Sequence, residues 1–375
     1  MSQAIKRKKI MLIITEDCNL RCHYCYEQDK RKRAMTFPIA REVLDNSFTE
    51  MEGYDGVTLE LHGGEPFLNF DLIKQIDHYI LTAYPQLDFL VRTTTNGTLV
   101  HGEIQEWLYS RRDRYEVMLS LDGTESVHNM NRPAAGGGES FKMIDLAFFT
   151  RTWEDCPVYM TVTESTLPFL AESVMWIQEK GFDCLNALEW AVEWNLERSA
   201  PVLAKELRTL VKYYSDNPHR HTCLMLNCHL ERFYEPIKEN FRYCVDIDDP
   251  IECFDAAGVF APCHGFTSFT MGNQEEAEAF AAYTIRDFEH ADKCICKGCK
   301  LIRLCRTCFA ANYMLSGDMQ IQSPELCALN RMCILAGIQI LRNRGQDHKM
   351  ADEVEQYILS LNDGAKAGIL PAPPL

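Results

Sequence analysis

The sequence lacks any apolar run that approaches the roughly 20 residues of a membrane-spanning helix. Its basic N-terminus, MSQAIKRKKI, is not followed by the long apolar segment of a signal peptide. We therefore expect neither a membrane anchor nor export, and we predict a cytoplasmic protein. An excess of positive charge is also missing, because the formal net charge is -16. That charge argues against general nucleic-acid binding, and the basic clusters at residues 6–9 and 30–33 are either solvated loops or contacts for an acidic peptide.

Cysteine is scarce in the middle of the chain, where only Cys156 and Cys184 lie between Cys25 and Cys223. The whole chain of 375 residues nevertheless has 17 cysteines, and clustered thiols in a reducing cytosol favour metal binding over disulfides. With 46% hydrophobic residues, the chain is long enough for one large core or for a core and a satellite domain. We predict two cysteine-rich sites separated by a cysteine-poor scaffold.

The scaffold, from residue 9 to about 195, alternates short β-branched runs with longer amphipathic ones. Strands are predicted at residues 9–15, 57–63, 89–95, 116–122, 158–164 and 184–190. Helices are predicted between them at residues 37–51, 70–84, 102–112, 140–153 and 170–181. Six such repeats predict an α/β fold with parallel strands, either a partial barrel or an open doubly wound sheet.

Four motifs follow the first four predicted strands in turn. They are CNLRCHYC at 18–25, GGEPF at 63–67, TTNGT at 94–98 and SLDGTESVHNMNR at 120–132. In parallel α/β folds the ligand binds at the carboxyl ends of the strands. We therefore expect the four motifs to lie on one rim of the fold.

The first motif offers three thiols, Cys18, Cys22 and Cys25, and no fourth. A structural zinc ion takes four ligands, and a fully ligated iron-sulfur cubane takes four thiolates. His23 lies between Cys22 and Cys25 and would compete sterically with them, which disfavours zinc. Three cysteines on a cubane leave one iron open to a substrate or cofactor.

The spacing CxxxCxxC after the first strand, with Tyr24 before the last cysteine and GGEP after the second strand, resembles the radical S-adenosylmethionine superfamily. The resemblance implies a [4Fe-4S] cluster on the three cysteines, with S-adenosyl-L-methionine chelating the fourth iron. In that family one electron breaks the sulfonium bond, and the resulting 5'-deoxyadenosyl radical takes a hydrogen atom from the substrate.

The resemblance also implies contacts with S-adenosylmethionine in the first two motifs. Gly63 and Gly64 would let the backbone approach the cofactor closely, and Glu65 would accept a hydrogen bond from its ammonium group. Tyr24 resembles the family residue that packs near the adenine.

Three further residues have a structural alternative beside the cofactor role. Arg132 would offer a forked guanidinium to the methionyl carboxylate, and Ser120 a hydroxyl to the ribose. The alternatives are a surface ion pair for Arg132 and a loop hydroxyl for Ser120. Asn96, which precedes Gly97, is either a turn residue or a cofactor contact.

After residue 196 the pattern changes to two predicted helices, at 200–216 and 223–241, and then to irregular cysteine-rich sequence. Cys223 and Cys228 in the second helix are interpreted as packing thiols. From Cys244 onward the spacing resembles the SPASM extension of radical S-adenosylmethionine enzymes, which carries two auxiliary [4Fe-4S] clusters. The sequence departs from that pattern with two residues, not three, between Cys305 and Cys308.

The SPASM resemblance implies ligands for two auxiliary clusters, and so three [4Fe-4S] clusters in all. The distal cluster would use Cys296, Cys299, Cys305 and Cys327. The nearer cluster would use Cys244, Cys253, Cys263 and Cys308. If Cys253 is not a ligand, the nearer cluster has an open iron that could bind a substrate thiolate. A pair of zinc ribbons is the alternative for this half, and Cys294 and Cys333 are spare thiols or substitute ligands.

Enzymes with this extension mostly act on peptides or proteins. The leading hypothesis is a peptide maturase that installs a cross-link, most plausibly a thioether, in a ribosomally made precursor. The alternative is an anaerobic sulfatase-maturating enzyme, which forms formylglycine. Those enzymes have an aspartate base after the cysteine that corresponds to Cys263, whereas here His264 stands there, and a neutral imidazole can act as a base. A hypothesis of another class is a non-catalytic iron-sulfur or zinc-binding protein.

The resemblance suggests four regions. They are a radical S-adenosylmethionine partial (β/α)6 barrel at 1–195, a helical connector at 196–243, a SPASM domain at 244–345, and a C-terminal helix with a mobile tail at 346–375. Expected partners are a precursor peptide or protein and a reducing donor such as flavodoxin or ferredoxin, with no nucleic acid and no membrane. Because the first strand begins near Lys9, we expect peptide recognition by a separate protein, a groove or a surface patch.

Overall fold

The computed structural model describes residues 5–27, 30–235, 251–283, 294–305 and 308–362. The six predicted strands are confirmed within two residues at either end, and two short strands follow them. The strands are β1 (Arg7–Thr15), β2 (Gly56–Gly63), β3 (Phe89–Thr95), β4 (Tyr115–Ser120), β5 (Pro157–Val162), β6 (Asp183–Leu188), β7 (Ile251–Phe254) and β8 (Phe260–Ala261). Cys244 and the predicted mobile tail from residue 363 lie outside the described residues.

Helices connect the strands and dominate the C-terminal part. They are α1 (Phe37–Thr49), α2 (Phe70–Ala83), α3 (Glu103–Ser110), α4 (Glu125–Asn131), α5 (Leu146–Thr152), α6 (Leu170–Glu179), α7 (Leu196–Asp216), α8 (Ser268–Met271), α9 (Gln274–Phe280), α10 (Phe309–Ser316), α11 (Pro324–Asn343) and α12 (His348–Asn362). The sequence pattern predicted neither α10 nor α11, which lie in the region expected to be irregular.

The helix predicted at 223–241 is wrong for its described part. Two 3-10 turns, Leu224–Leu226 and Leu230–Tyr234, stand there instead. The Asn186 side chain of β6 accepts a hydrogen bond from the Met225 N–H at 3.1 Å. Cys228 Sγ donates to the Ile334 carbonyl of α11 at 3.7 Å, and Asn227 between these two contacts has an extended backbone with a ψ of 95°. Contacts with β6 on one side and α11 on the other thus hold the segment out of a continuous helix.

The chain divides into two compact units. The first comprises Met1–Leu121, His128–Pro157 and Asp246–Phe288, and the second comprises Asp122–Val127, Val158–Val245 and Glu289–Leu375. The four regions expected from the sequence stay a prediction.

In the first unit the strand order is β4-β3-β2-β1-β7-β8. All neighbours are parallel except β7 and β8, which are antiparallel. The central strand β1 is apolar along its length, and Ile10, Leu12 and Ile14 are fully buried, as expected for a parallel strand covered on both faces. The carboxyl ends of β1 to β4 lie at the same edge, which places all four motifs there.

In the second unit β5 and β6 are neighbours, and α11 packs against α7 and α12. Among the described residues, α11 alone is long and apolar enough by length and composition to cross a membrane, although we expected no apolar stretch of that length. Its buried residues include Leu329, Met332 and Ile338, which is typical of a core helix. Burying each such side chain contributes about 1.5–3 kcal/mol.

The predicted α/β fold class with parallel strands is confirmed. The described strands do not close into a barrel, in agreement with the expected partial barrel.

Candidate functional site

The cysteine loop, residues 18–25, begins just after β1 and is held against the segment that follows α4. The Arg21 N–H donates to the Pro133 carbonyl at 2.9 Å, and the His23 N–H donates to the Asn131 carbonyl at 2.9 Å. The His23 side chain, which a zinc site would need as a fourth ligand, is exposed. The structure therefore brings the first and the fourth predicted motifs together.

Two thiols of the cysteine loop, Cys18 and Cys25, share one electrostatic environment, to which Cys22 contributes. Burial raises the pKa of Cys18 to about 12 and also raises the pKa of Cys25. The charge of Lys30 lowers the pKa of both thiols, and Cys22 raises it. Lys30 Nζ donates to the Leu20 carbonyl of the same loop at 3.3 Å. Thiols must lose their protons to bind iron, which a nearby cation favours. The donor set of three thiols and one cation fits a cluster with one open iron.

The Cys18 sulfur accepts hydrogen bonds from two groups. The Leu20 N–H donates to it at 3.4 Å, and the Asn96 side-chain amide donates at 4.0 Å. The Asn96 amide also donates to Asn19 Oδ1 at 2.9 Å, while its oxygen accepts from the Thr98 N–H at 3.0 Å. Asn96 is therefore a turn residue that also organises the cysteine loop. Hydrogen bonds to cluster sulfurs are among the factors that set reduction potential.

Gly63 and Gly64 make room for the end of β1 and for the residue that leads into the cysteine loop. A Cβ atom on Gly63 would lie 2.2 Å from the Thr15 carbonyl oxygen, and one on Gly64 would lie 2.3 Å from the Asp17 carbonyl oxygen. Gly63 also has a φ of 148°, which disfavours other residues. Backbone packing therefore requires glycine at both positions, in addition to the close approach of the cofactor that the sequence suggested.

Glu65 links the second motif to the third. Its Oε1 accepts hydrogen bonds from the Phe67 N–H at 3.2 Å and the Thr95 hydroxyl at 2.8 Å, and its Oε2 accepts from the Asn96 N–H at 2.8 Å. Burial raises the pKa of Glu65 to about 7, although these donors favour the ionised form. A carboxylate has about four acceptor positions, of which these bonds use three, and the contact of Glu65 with the cofactor's ammonium group stays a prediction.

The Arg132 guanidinium lies over the Tyr24 ring. The Arg132 guanidinium carbon is 5.2 Å from the centre of the Tyr24 ring, and Arg132 is buried. Ser120 is half-buried at the end of β4, which pairs with β3 through Thr95 and Leu119. All three residues thus belong to the first unit, and their roles toward S-adenosylmethionine stay predictions.

Sequence reasoning missed a cluster of aromatic and imidazole groups around His264. The His264 ring lies 5.0 Å from the His62 ring and 5.7 Å from the Tyr26 ring. His62 Nε2 is 3.5 Å from Glu27 Oε1.

The two histidines of this cluster have pKa values that shift in opposite directions. Burial lowers the pKa of His62, but the hydrogen bond to Glu27 and the charge of Glu27 raise it more, so the net shift is upward. Burial and the neighbouring His62 lower the pKa of His264 to about 3, which keeps its imidazole neutral.

The second unit brings the four predicted ligands of the distal cluster together. One pocket is lined by Cys296, Cys299, Cys305 and Cys327. Within the described residues, no three Cys, His, Asp or Glu side chains converge as the ligands of a single metal ion do. Each thiolate of a cubane binds a different iron, so such convergence is not required. The donor set therefore fits a cluster.

Arg331 and α12 complete this pocket. Arg331 is 1% exposed and lines the pocket beside the four cysteines. Its Nη1 donates to Asn362 Oδ1 at 2.8 Å. Burial and the neighbouring thiols Cys327 and Cys299 raise the pKa of Cys305, and Arg331 lowers it. The Tyr357 hydroxyl of α12 accepts a hydrogen bond from the backbone N–H of Lys300 at 3.1 Å.

The remaining cysteines have varied surroundings. Cys253 is fully buried in an apolar cluster with Met11, Ile13 and Phe269, and Cys263 is half-buried before His264. Cys308 precedes α10 and accepts hydrogen bonds from backbone groups of that helix. The predicted nearer cluster cannot be assembled from the described residues, because Cys244 lies outside them.

Two thiols that the sequence left unassigned are buried in the second unit. A hydrogen bond with Cys294 raises the pKa of Cys296, together with burial. Cys333 is close to Cys223 and Cys228, which add to the burial that raises its pKa. Cys294 is thus a neighbour of the distal pocket, and Cys333 packs with other thiols.

A family profile described as a 4Fe-4S single cluster domain matches residues 8–134. The cysteine-type anaerobic sulfatase-maturating enzyme of Clostridium perfringens is 24% identical over 218 residues, which cover 53% of this chain and 58% of that protein. The chain spans about half the length of the curated relatives that it matches.

Two solved structures share the fold. A structure described as anSMEcpe with bound AdoMet has a TM-score of 0.67 at 17% identity and covers 94% of this chain and 99% of that chain. Streptococcus suis SuiB bound to precursor peptide SuiA has a TM-score of 0.56 at 16% identity and covers 86% of this chain and 76% of that chain. At these identities the likeness concerns the fold. The resemblance predicted from the sequence is confirmed to this extent: this chain matches a 4Fe-4S cluster profile, is similar to a sulfatase-maturating enzyme, and shares the fold of a structure with bound AdoMet.

Proposed function

We propose that the protein is a radical S-adenosylmethionine enzyme that removes a hydrogen atom from a peptide or protein substrate. The observation that carries the proposal is the cysteine loop, which has three thiols and no fourth and whose Leu20 carbonyl accepts a hydrogen bond from Lys30 Nζ at 3.3 Å. When bound, the cluster and S-adenosylmethionine supply the electron and the hydrogen-atom acceptor. The residues of this chain hold, orient and shield them.

Each motif has a proposed part in holding the cofactor. Cys18, Cys22 and Cys25 would bind three irons. Glu65 would accept a hydrogen bond from the cofactor's ammonium group, since its Oε2 has an acceptor position left beside the Asn96 N–H. The resemblance gives the carboxylate of S-adenosylmethionine to Arg132, the ribose to Ser120 and the adenine to Tyr24.

The second unit would hold an auxiliary cluster that passes electrons. The grouping of Cys296, Cys299, Cys305 and Cys327 around one pocket supports this assignment. The nearer cluster, on Cys244, Cys253, Cys263 and Cys308, is proposed from the resemblance alone. With both clusters present, the protein would carry three [4Fe-4S] clusters.

The finer proposal is a peptide maturase that installs a thioether in a ribosomally made precursor. Two features support it: the two-cluster cysteine pattern, and His264 at the position where sulfatase-maturating enzymes have their aspartate. The second candidate function is sulfatase maturation, which the similarity to the Clostridium perfringens enzyme favours. A reducing donor such as flavodoxin or ferredoxin and a separate recognition protein are further expected partners.

The two candidates differ in their products. The protein would be reconstituted with iron and sulfide without oxygen and incubated with two peptides: a cysteine-bearing precursor encoded beside its gene, and a sulfatase peptide. A thioether would lower the mass of the precursor by two hydrogens and leave no free thiol to alkylate. Formylglycine on the sulfatase peptide, with an unmodified precursor, would instead support the second candidate. If neither peptide changes, the peptide-maturase proposal fails.

A further inference from the structure

The second unit contains a cavity of about 350 Å3 that none of the predicted functions uses. It lies at the start of β6, between the loop that follows α7 and the end of α11. Its cationic lining consists of Arg220 and Arg344, with His219 and His221 beside them. A volume of this size is typical of small-ligand sites.

The two arginines are fixed in place by neutral groups. Arg344 Nη2 donates to the carbonyl oxygens of Tyr214 and Arg220, both at 3.1 Å. Arg220 Nη1 donates to the Gln178 carbonyl at 3.2 Å. Among the described residues neither arginine forms an ion pair with a carboxylate. The carbonyl oxygens that hold the two guanidinium groups are neutral, so these contacts leave the positive charges in place.

Arg342, two residues before Arg344, differs from it because it has carboxylate partners. It forms ion pairs with Asp352 and Glu355, and these hydrogen bonds raise its pKa. Burial instead lowers the pKa of Arg344, because its charge is desolvated without a counter-charge. A bound anion would supply that counter-charge.

The wall of the cavity is built by close backbone packing. A Cβ atom on Gly337 of α11 would lie 2.4 Å from Cys228 Sγ and 2.7 Å from the Leu226 carbonyl oxygen. Gln178 fixes the opposite loop, because its Nε2 donates to the His221 carbonyl at 2.8 Å. The arginines thus lie on segments that are each anchored by hydrogen bonds or packing, which makes the cavity preformed.

We propose that this cavity binds an oxyanion, a carboxylate or a phosphate, through Arg220 and Arg344, which both line it. Guanidinium groups bind such anions through charge-assisted hydrogen bonds. Apolar side chains such as Leu185, Leu224 and Ile340 line the same cavity. The anion would therefore either carry an apolar group that packs against them or be a small oxyanion in contact with this apolar surface. Asp183, which also lines the cavity, weakens anion binding by repulsion.

Calorimetric titration of the full-length protein at constant ionic strength tests this site. The probes are inorganic phosphate and an acetylated triglutamate peptide. Tighter binding of phosphate identifies a free small oxyanion, and tighter binding of the peptide identifies acidic side chains. Arg220→Gln should weaken binding about tenfold or more, and Asp183→Asn should strengthen it. Arg208→Gln, an exposed arginine on α7, is the matched control and should leave binding unchanged.

Arg220→Gln should weaken anion binding and Asp183→Asn should strengthen it. A general loss of folding cannot produce both results, so the test does not depend on folding. Arg344→Gln removes hydrogen bonds to two carbonyl oxygens, whereas Arg220→Gln removes the bond to one, so Arg344→Gln is a supporting variant only. If the wild-type protein binds neither probe, or if Arg220→Gln and Asp183→Asn both leave the dissociation constant unchanged, the proposal is overturned. S-adenosylmethionine cleavage does not enter the readout, so this outcome is separate from that of the proposed function.

Discussion

Glu65 Oε2 accepts a hydrogen bond from the backbone N–H of Asn96 at 2.8 Å, and the Asn96 amide in turn donates to the Cys18 sulfur at 4.0 Å. The carboxyl end of β2 is thereby connected to the cysteine loop through the carboxyl end of β3. The positions of three motifs that are far apart in the sequence depend on this chain of contacts.

Replacing Glu65 with glutamine should destabilise the first unit. The amide nitrogen would face one of the three donors that the carboxylate now binds, and an unsatisfied buried donor costs about 1–3 kcal/mol. Chemical denaturation should show that loss in the free energy of unfolding. Glu106→Gln, an exposed position on α3, is the control, and equal stability of the two variants would contradict the prediction.

The pH dependence of stability should also change in Glu65→Gln. Burial raises the pKa of Glu65 from 4.5 to about 7, so the folded protein binds more protons than the unfolded chain between these values. The contribution of Glu65 to the free energy of unfolding therefore decreases as pH rises from about 4.5 to about 7. Denaturation of iron-free protein across this range should show a shallower slope in the variant, and identical slopes would contradict the pKa shift.

Replacing Arg331 with methionine should lower the reduction potential of the auxiliary cluster. A buried positive charge beside four thiolates stabilises the more negative, reduced state, so its loss should shift the potential downward on the order of tens of millivolts. Electron paramagnetic resonance during redox titration measures this shift. Arg331→Lys keeps the charge and should retain most of the potential. Equal shifts in both variants would indicate a steric role instead.

Replacing His264 with glutamine should separate cofactor cleavage from product formation. His264 lies beside His62 and Tyr26 and not in the cysteine loop, so cleavage of S-adenosylmethionine should persist. If its imidazole accepts the substrate proton, modified peptide should decrease at least tenfold. Chromatography of 5'-deoxyadenosine and mass spectrometry of the peptide measure the two quantities in parallel. His78→Gln, exposed on α2, is the control, and unchanged peptide modification would exclude the base role.

The strands could be predicted from the sequence because their apolar runs are short, β-branched and separated by amphipathic helices. The grouping of the four motifs followed from the parallel arrangement alone. The contact between His62 and His264 could not be predicted, since it joins residues about two hundred positions apart that no motif connects. The helix expected after Cys223 was wrong because Asn186 holds the Met225 N–H in a tertiary contact, which local propensity does not contain.

Lys30 shows a further limit of sequence reasoning. Its basic cluster predicted a solvated loop or a peptide contact, but the charge of Lys30 lies close enough to Cys18 and Cys25 to lower both thiol pKa values. The effect of Lys30 on the thiols depends on its distance from them in the folded chain, which the composition of its basic cluster does not reveal.

The most direct measurement is the yield of 5'-deoxyadenosine from S-adenosylmethionine under strong reductant, in anaerobically reconstituted protein with its iron and sulfide counted. The wild-type protein and the control Cys156→Ala should form the nucleoside. The triple variant Cys18→Ala, Cys22→Ala, Cys25→Ala should lose it, together with about four irons, the content of one [4Fe-4S] cluster. Wild-type protein that holds its iron but leaves S-adenosylmethionine intact, or that binds zinc at the cysteine loop, would contradict the proposed function.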